Sequence, residues 1–270
     1  MSPGATARAA CLLLLAGAAG PLRAQATADR ARLVVGLGIA YHGAGHIWTQ
    51  NGQPIIDAVG NVDTVNVGRD IVAQLGLSFT GAYFPTDRWG IIGEVQFLGL
   101  HYSDSCQLLT SHSGGEAQQI CQNIRGRGHD GTAVTLTIGG IVRPIPGSSP
   151  SPYLRANVGI DVSLNSSIRM VGTWIDAASQ EEDYYVYGDP NAREVTPILS
   201  FGAGITAPTG RSSQFRLEAR DNVVFLQHPA GIQPTPDPSG SPPVALRASH
   251  LFSLSMGFEI VLEKKRGHRY

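Results

Sequence analysis

The chain has 270 residues, of which 42% are hydrophobic and only 15% are charged, against roughly 25% charged residues in soluble domains. Its 20 Lys+Arg and 21 Asp+Glu give a formal net charge of −1 at pH 7, so it has no basic excess to hold a nucleic acid. Low hydrophobicity combined with high net charge would indicate disorder, and this chain has neither. After residue 20 no apolar run approaches the ~20 residues of a transmembrane helix. These properties exclude a disordered chain and a polytopic helical membrane protein.

The N-terminus has the pattern of a secretory signal. A short start carrying Arg8 is followed by an apolar stretch from Ala9 to Gly20, and Ala24-Gln25-Ala26 supplies the small residues that signal peptidase needs. The apolar stretch is too short to span a membrane and is typical of a cleaved signal. We therefore expect a signal peptide at 1–26 and a mature chain at 27–270.

The rest of the chain alternates apolar and polar residues, the pattern of β-strands. Between Tyr153 and Asn165 the even positions from Leu154 to Leu164 are apolar, and the odd positions are mostly polar or glycine. Eight such stretches predict strands at about 32–41, 73–84, 89–102, 131–143, 152–165, 198–207, 213–226 and 248–262.

The connections between these strands alternate between long and short. Three short turns follow the second, fourth and sixth strands, and four long loops, each of roughly 20–30 residues, separate the others. An even strand count with short turns on one side and long loops on the other is typical of transmembrane barrels. The sequence thus predicts an all-β fold: an eight-stranded antiparallel up-and-down transmembrane β-barrel with four long extracellular loops and three short periplasmic turns.

The composition of the two strand faces separates a membrane barrel from a soluble, lipocalin-like one, which remains an alternative. The polar face is rich in glycine, which weakens a solvent-facing strand but fits a narrow lumen. The apolar face would be a very large exposed patch in water. We expect these residues to face lipid: Leu154, Val158, Ile160, Leu254 and Phe258. We expect these charged residues to pair inside a plugged lumen: Glu94, Arg143, Arg155, Asp161, Arg216, Glu218, Arg220 and Glu259.

The last predicted strand is similar to the final strand of small outer-membrane barrels. The segment Phe252-Ser253-Leu254-Ser255-Met256-Gly257-Phe258-Glu259-Ile260 alternates apolar residues with a polar residue and glycine. Together with the loop pattern, it resembles the eight-stranded OmpA/OmpX/OmpW-like group. Members of that group usually end at an aromatic residue closing this strand, whereas here a basic tail from Glu263 to Tyr270 follows.

The resemblance implies a location and partners. We expect the outer membrane of a double-membraned bacterium, contacts with outer-membrane lipid and lipopolysaccharide, insertion by the barrel-assembly machinery, and a monomer. The implied role is structural or surface-interactive, through the long loops. An OmpW-like narrow channel for small hydrophobic molecules is the alternative. It requires an apolar lumen near the loops, to which Ile92, Leu98, Ile141 and Val224 would contribute.

The cysteines and histidines suggest one covalent link and no cofactor. Cys106 and Cys121 lie in the same predicted loop of a secreted chain, which predicts a disulfide worth ~3 kcal/mol in the chain-entropy model. His101, His112 and His129 show no standard metal-ligand spacing. We expect no metal and no cofactor.

One motif raises an enzymatic alternative. His101-Tyr102-Ser103 resembles the His-x-Ser element of lipid A deacylase barrels, with Glu116 as a third member, because a histidine can activate a serine hydroxyl. Those enzymes follow the serine with asparagine, whereas this chain has Asp104. We therefore predict that the protein is not an enzyme.

Overall fold

A computed structural model describes residues 32–263 except 44, 58–59, 111–114, 127–128, 176–178, 190–193, 211, 234, 238 and 241. The predicted signal at 1–26 and the basic tail after Glu263 lie outside these residues. The described elements are twelve strands and one helix. In chain order they are β1 Arg32–His42, β2 Gly45–Ile56, β3 Val62–Ile71, β4 Gln74–Phe84, β5 Trp89–Leu108, α1 Glu116–Gly126, β6 His129–Val142, β7 Ser151–Ser163, β8 Met170–Ile175, β9 Glu181–Tyr187, β10 Glu194–Pro208, β11 Ser213–Pro229 and β12 Val244–Glu263.

Eight of these strands close into an antiparallel barrel. Their order around the wall is β1, β4, β5, β6, β7, β10, β11 and β12, and β12 pairs back onto β1 from Arg32↔Glu263 to His42↔Ser253. The all-β, eight-stranded antiparallel barrel predicted from the alternation is confirmed. Short connections at 85–88, 143–150 and 209–212 lie at one end of the barrel, which we call the short-turn end. The opposite end is the loop end.

Apolar side chains lie on the outside of the barrel and charged side chains on the inside, the reverse of a soluble barrel. Along β7, Leu154 and Val158 are each 55% exposed, while Arg155 between them is 4% exposed. Ile160 on β7 and Leu254 and Phe258 on β12 also face outward. A wall covered with half-exposed Leu, Val, Ile and Phe suits lipid, in which a closed barrel satisfies every strand hydrogen bond. Among the described residues, no helix has the length and hydropathy needed to cross a bilayer.

Two glycines on β6 and β7 are required by the close approach of these strands. A Cβ atom on Gly159 would collide with the carbonyl oxygen of Leu136, and one on Gly139 with that of Ala156. Glycine at these inward positions therefore fits the narrow lumen and also lets the backbones of β6 and β7 approach each other.

The strands at the loop end are longer than the sequence predicts. β5 continues to Leu108 instead of ending near residue 102, and β12 begins at Val244 instead of near residue 248. The long loops are also folded. The first contains the β2–β3 hairpin, whose β3 pairs with β5 from Val65↔Leu108 to Ile71↔Tyr102. The second contains α1, and the third contains the β8–β9 hairpin.

A charge on the outer wall should destabilise the barrel in a depth-dependent manner. Val158 lies in the middle of β7, so Val158→Arg places a guanidinium near the bilayer centre and should cost about 2–4 kcal/mol of folding free energy. Leu164→Arg, at the loop end of the same face, should cost about 0–1 kcal/mol. Urea unfolding in phosphatidylcholine vesicles measures both values. Equal losses at the two positions would contradict a lipid-facing wall.

Candidate functional site: a plugged lumen beneath a folded cap

Four charged side chains fill the middle of the lumen, and we call them the belt: Glu94, Arg155, Glu218 and Arg220. Arg220 donates from Nη1 to Glu94 Oε1 at 2.5 Å and from Nε to Glu218 Oε1 at 2.7 Å. Arg155 Nη2 lies 2.9 Å from Glu94 Oε2, and its Nε lies 3.4 Å from Glu218 Oε1. The Tyr153 hydroxyl donates to Glu218 Oε2 at 2.6 Å. Buried charges require this kind of pairing and hydrogen bonding.

A second ion pair lies nearer the short-turn end. Arg216 Nη1 is 3.0 Å from Glu259 Oε1, and Gln214 Nε2 donates to Glu259 Oε2 at 2.5 Å. Six of the eight charged residues predicted for the lumen therefore take part in ion pairs inside it.

The other two predicted lumen charges, Arg143 and Asp161, are arranged differently. Arg143 stacks over the ring of Phe84, with its Cζ 4.1 Å from the ring centroid. Asp161 is 6% exposed, yet it forms no ion pair with any described residue. The predicted partner of Asp161 is thus not found among the described residues, because alternation gives the face of a side chain but not the partner it meets.

An apolar cluster closes the short-turn end. It consists of Val34, Ala82, Phe84, Ile92, Ile141 and Tyr153. Ile92 and Ile141, which the channel alternative placed near the loops, thus lie at the opposite end of the lumen. Only Leu98 and Val224 of that set line the space near the loops.

That space, the loop-end cavity, lies between the belt and the loops. Its volume is about 30 Å³, which approximates the share of one water molecule in the liquid. One part of its lining is apolar and includes Ile71, Leu98, Ile198 and Val224. Another part is polar and includes His42, Gln96, Asp161 and Glu194. The cavity thus has an apolar side and a polar side.

The wall beside this cavity has a seam between β10 and β11. Backbone pairing of these strands ends at Ile198↔Val224, although β11 continues to Pro229. Beyond that point the carboxylate of Glu194 bridges the gap, because Gln227 N donates to its Oε1 at 3.2 Å and Ser167 N donates to its Oε2 at 3.1 Å.

The loops above the cavity form one folded unit, the cap: β2, β3, β5 beyond Tyr102, α1, residues 166–187 and residues 230–243. Its centre is Arg69, whose Nε and Nη2 donate to the two oxygens of Asp104 at 2.7 and 2.8 Å. The Arg69 guanidinium also lies over the rings of Trp48 at 5.9 Å and Tyr102 at 5.1 Å. Trp48 meets Tyr187 edge to face at 5.7 Å.

Hydrogen bonds tie distant loops to each other across the cap. Gln53 Nε2 donates to the Gln233 carbonyl oxygen at 2.7 Å, and Gln233 N donates back to Gln53 Oε1 at 3.0 Å. Gly188 N donates to Gln233 Oε1 at 2.9 Å. The fourth loop, between β11 and β12, is therefore held by the first and third loops.

The aromatic run of the third loop packs into the cap. Tyr184 and Tyr187 are buried, and the Tyr184 hydroxyl accepts from Ile56 N at 2.8 Å. Burial raises the pKa of both phenols above the ordinary value, so both remain neutral. Tyr185 is half-buried, and the Arg169 guanidinium lies 5.6 Å from its ring.

The predicted disulfide between Cys106 and Cys121 is present and joins α1 to the end of β5. Ile120 and Ile124 of the same helix pack against Gly172 in β8, and Asn123 Nδ2 donates to the Thr173 carbonyl oxygen at 2.6 Å. The helix thus links the second loop to the third.

Of the residues of the enzymatic alternative, His101 and Ser103 lie on β5 at the base of the cap, whereas Glu116 lines the cleft beside α1. Ser103 and Tyr102 are neighbours on β5 with opposite orientations, since Ser103 is exposed and Tyr102 is buried. Asp104, which departs from the deacylase motif, points inward and binds Arg69. Glu116 begins α1.

Three residues that organise the site were missed by the sequence analysis: Trp48, Arg69 and Glu194. Trp48 and Arg69 lie in a stretch that we interpreted as loop, and Glu194 lies just before a predicted strand. The signal available for Arg69 was the alternation from Val62 to Ile71, which continues the strand pattern with polar residues on both faces.

Removing the disulfide should loosen the cap and leave the barrel intact. Because it closes a segment with a sequence separation of 15 residues, the Cys106→Ser/Cys121→Ser variant should lose about 3 kcal/mol of cap stability. Thermal unfolding with and without reductant measures the loss. Reductant should destabilise the wild type and leave the double variant unchanged. If reductant destabilised both the wild type and the double variant, the lost stability would not come from the disulfide.

Comparisons with known proteins find only low similarity. No family model and no curated protein matches the sequence. Neisserial surface protein A is 10% identical with a TM-score of 0.41, covering 84% of this chain and 96% of that one. The outer membrane protein AlkL is 13% identical with a TM-score of 0.42, covering 93% and 99%. OprG from Pseudomonas aeruginosa is 11% identical with a TM-score of 0.39, covering 87% and 98%.

Proposed function

We propose that the protein is an outer-membrane barrel of a double-membraned bacterium whose plugged lumen supports a folded cap used in surface interaction. The observation that carries the proposal is the combination of the buried belt with the interlocked loops. The belt blocks the lumen with paired charges, and the cavity above it holds about 30 Å³. Such a barrel is better suited to supporting the cap than to conducting solutes.

The form of the cap favours a binding role. Loops positioned by a rigid scaffold are common sites of recognition, and these loops share a disulfide and a buried core. A cleft of about 370 Å³ opens between α1, β9 and residues 56–57, within the size range of small-molecule sites. Its described lining combines the aromatic side chains of Trp174, Tyr184 and Tyr185 with acidic residues such as Glu182. A ligand that suits this cleft carries positive charge.

The outer wall supports the location and the remaining partners. Its apolar side chains would contact outer-membrane lipid and lipopolysaccharide, and a closed barrel of this kind requires the barrel-assembly machinery for insertion. Every barrel strand has two neighbours in the wall, so no barrel strand offers a free edge to a second copy, and we infer a monomer. We infer no catalysis.

The experiment that tests this proposal has two parts. Detergent-extracted protein from the membrane fraction should shift in gel mobility on boiling, as folded barrels do. Reconstituted protein in planar bilayers should show no open-channel conductance. A protein that stays in the aqueous fraction, or a stable conductance of the wild type, would contradict the proposal.

A narrow lateral path for small hydrophobic molecules is the second candidate. The observation that favours it is the seam between β10 and β11, which lies beside the apolar lining of the loop-end cavity and is bridged by the side chain of Glu194. Uptake of a small apolar dye into proteoliposomes that increases on Glu194→Ala would support this candidate. If Glu194→Ala leaves dye uptake unchanged, the lateral path is ruled out and the plugged-barrel role stands.

A further inference from the structure

Three oxygen-bearing side chains form a row across the wall of the loop-end cavity. Thr135 on β6 pairs with Asp161 on β7, and Asp161 pairs with Thr196 on β10. All three point inward, are at least nine-tenths buried and line the cavity. Side chains directly opposite on neighbouring antiparallel strands have Cβ atoms about 4.5–5.5 Å apart. The Asp161 carboxylate can therefore approach the hydroxyl of either threonine, whereas Thr135 and Thr196 lie two strands apart, about 9–10 Å, too far to share one ion.

The next row toward the loop end adds two further oxygen ligands. Ser163 pairs with Glu194, and both line the same cavity. The Glu194 oxygens already accept one hydrogen bond each from Ser167 N and Gln227 N, and a carboxylate retains further acceptor capacity. Two carboxylates and three hydroxyl groups thus line one side of the cavity.

Two atoms of this group lack a partner. Asp161 Oδ1 and Thr196 Oγ1 are buried and have no hydrogen bond to any described residue. Buried polar atoms are almost always satisfied, and an unpaired buried carboxylate is especially costly. A cavity with such atoms in its wall points to a bound group that satisfies them.

The charge balance indicates the sign of that group. The six ion-paired residues of the lumen carry three positive and three negative charges, so they leave no spare positive charge. Arg69 is engaged by both oxygens of Asp104. Arg155 lies six residues from Asp161 along β7, about 20 Å at the rise of a strand. Arg143, the remaining lumen cation, stacks on Phe84 at the short-turn end, so neither carboxylate at the cavity forms an ion pair with a described residue.

The remaining titratable side chain of the cavity lining does not change this balance. His42 Nε2 lies 2.9 Å from Gln96 Nε2. Since an amide nitrogen donates, the imidazole nitrogen accepts, and this tautomer, assigned from the hydrogen bond, is neutral.

We propose that the loop-end cavity binds one calcium ion between Asp161 and Glu194, with the hydroxyl oxygens of Ser163 and Thr196 on the same two strands as further ligands. Oxygen ligands of this kind suit hard cations, and two carboxylates neutralise one divalent charge. Magnesium gives up its water reluctantly, whereas a cavity of about 30 Å³ leaves little room for a hydrated ion. No three His, Cys, Asp or Glu side chains of the described chain form a ligand group. With only two carboxylates, we expect a dissociation constant of roughly 10⁻⁴–10⁻³ M, as in extracellular calcium modules.

Bound calcium would also strengthen the seam. Glu194 bridges β10 to β11 and to the start of the third loop. A cation that ties Glu194 to Asp161 on β7 fixes this bridge from inside the lumen. Bound calcium therefore stabilises the attachment of the cap to the barrel.

The test uses full-length protein refolded into phosphatidylcholine vesicles, a lipid with little affinity of its own for calcium, after treatment with a chelator. Terbium, a luminescent calcium analogue, should show emission sensitised by Tyr102 in the cavity lining, and calcium should displace it with a stoichiometry of one. The thermal midpoint should rise by roughly 5–10 °C at one hundred times the dissociation constant. Magnesium and sodium at equal ionic strength should have much smaller effects.

The matched variants are Asp161→Asn and Asp221→Asn, since Asp221 is a partly exposed carboxylate on the outer wall that pairs with His250. Asp161→Asn should lower calcium affinity at least tenfold, and Asp221→Asn should leave it unchanged. Thr196→Val keeps both carboxylates and should weaken calcium binding by a smaller factor than Asp161→Asn. It keeps the proposal testable if Asp161→Asn fails to fold. Equal calcium binding by wild type and Asp161→Asn overturns the proposal, as does a wild type with no saturable terbium signal.

Discussion

Replacing Arg220 with leucine is expected to lower the free energy of unfolding by about 3–5 kcal/mol, the usual cost of breaking a buried ion pair by removing one partner. Arg220 binds both belt carboxylates at shorter distances than Arg155 does, Glu94 at 2.5 Å and Glu218 at 2.7 Å, against 2.9 and 3.4 Å for Arg155. Without it, two buried carboxylates share the single guanidinium of Arg155. The loss comes from uncompensated charge, because leucine fills much of the volume that arginine leaves.

Urea unfolding in phosphatidylcholine vesicles, followed by tryptophan fluorescence, measures this loss. Asp221→Asn is the control, because Asp221 adjoins Arg220 in sequence but faces outward and pairs with the exposed His250. Its cost should stay within about 1 kcal/mol. The double variant Glu218→Gln/Arg220→Leu should recover part of the loss by removing one of the orphaned charges. A cost for Arg220→Leu as small as that of the control would show that the belt does not hold the lumen together.

The barrel could be predicted from the sequence because its signal is local. Alternation assigns each residue of a strand to one face, and β7 shows this clearly, with Leu154 and Val158 outside and Arg155 between them inside. The turns at 85–88 and 209–212 are short enough to fix which strands are neighbours. Antiparallel order around the wall then follows without any knowledge of distant contacts.

The cap could not be predicted because its contacts join residues far apart in the chain. Trp48 Nε1 donates to the Ser167 carbonyl oxygen at 3.0 Å, and Gln53 binds Gln233. No short-range pattern marks such pairs. The same limit applies inside the lumen, where alternation places Asp161 correctly on the inner face but cannot show that Thr135 and Thr196 are its neighbours.

Trp48→Ala is expected to destabilise the cap by about 3–5 kcal/mol while the barrel stays folded. Trp48 is 2% exposed, and its indole combines three contacts: an edge-to-face contact with Tyr187, the stacked guanidinium of Arg69 and the hydrogen bond to the Ser167 carbonyl oxygen. Alanine leaves a cavity at the point where the first and third loops meet. The loops should then open locally. The barrel should stay folded, because the belt lies in the lumen and Trp48 lies in the cap.

Amide hydrogen exchange separates the cap from the barrel. In Trp48→Ala, protection should fall in β2, β3 and residues 166–187, while amides of β7 and β12 within the barrel keep their wild-type rates. Gel mobility of the unboiled protein should remain that of a folded barrel. Trp174→Ala is the control, because Trp174 is only half-buried, at the edge of the cap, and its loss should change exchange only in β8 and β9. If protection in the barrel strands fell together with that of the cap, the two would form one cooperative unit, and the barrel would depend on the loops that it supports.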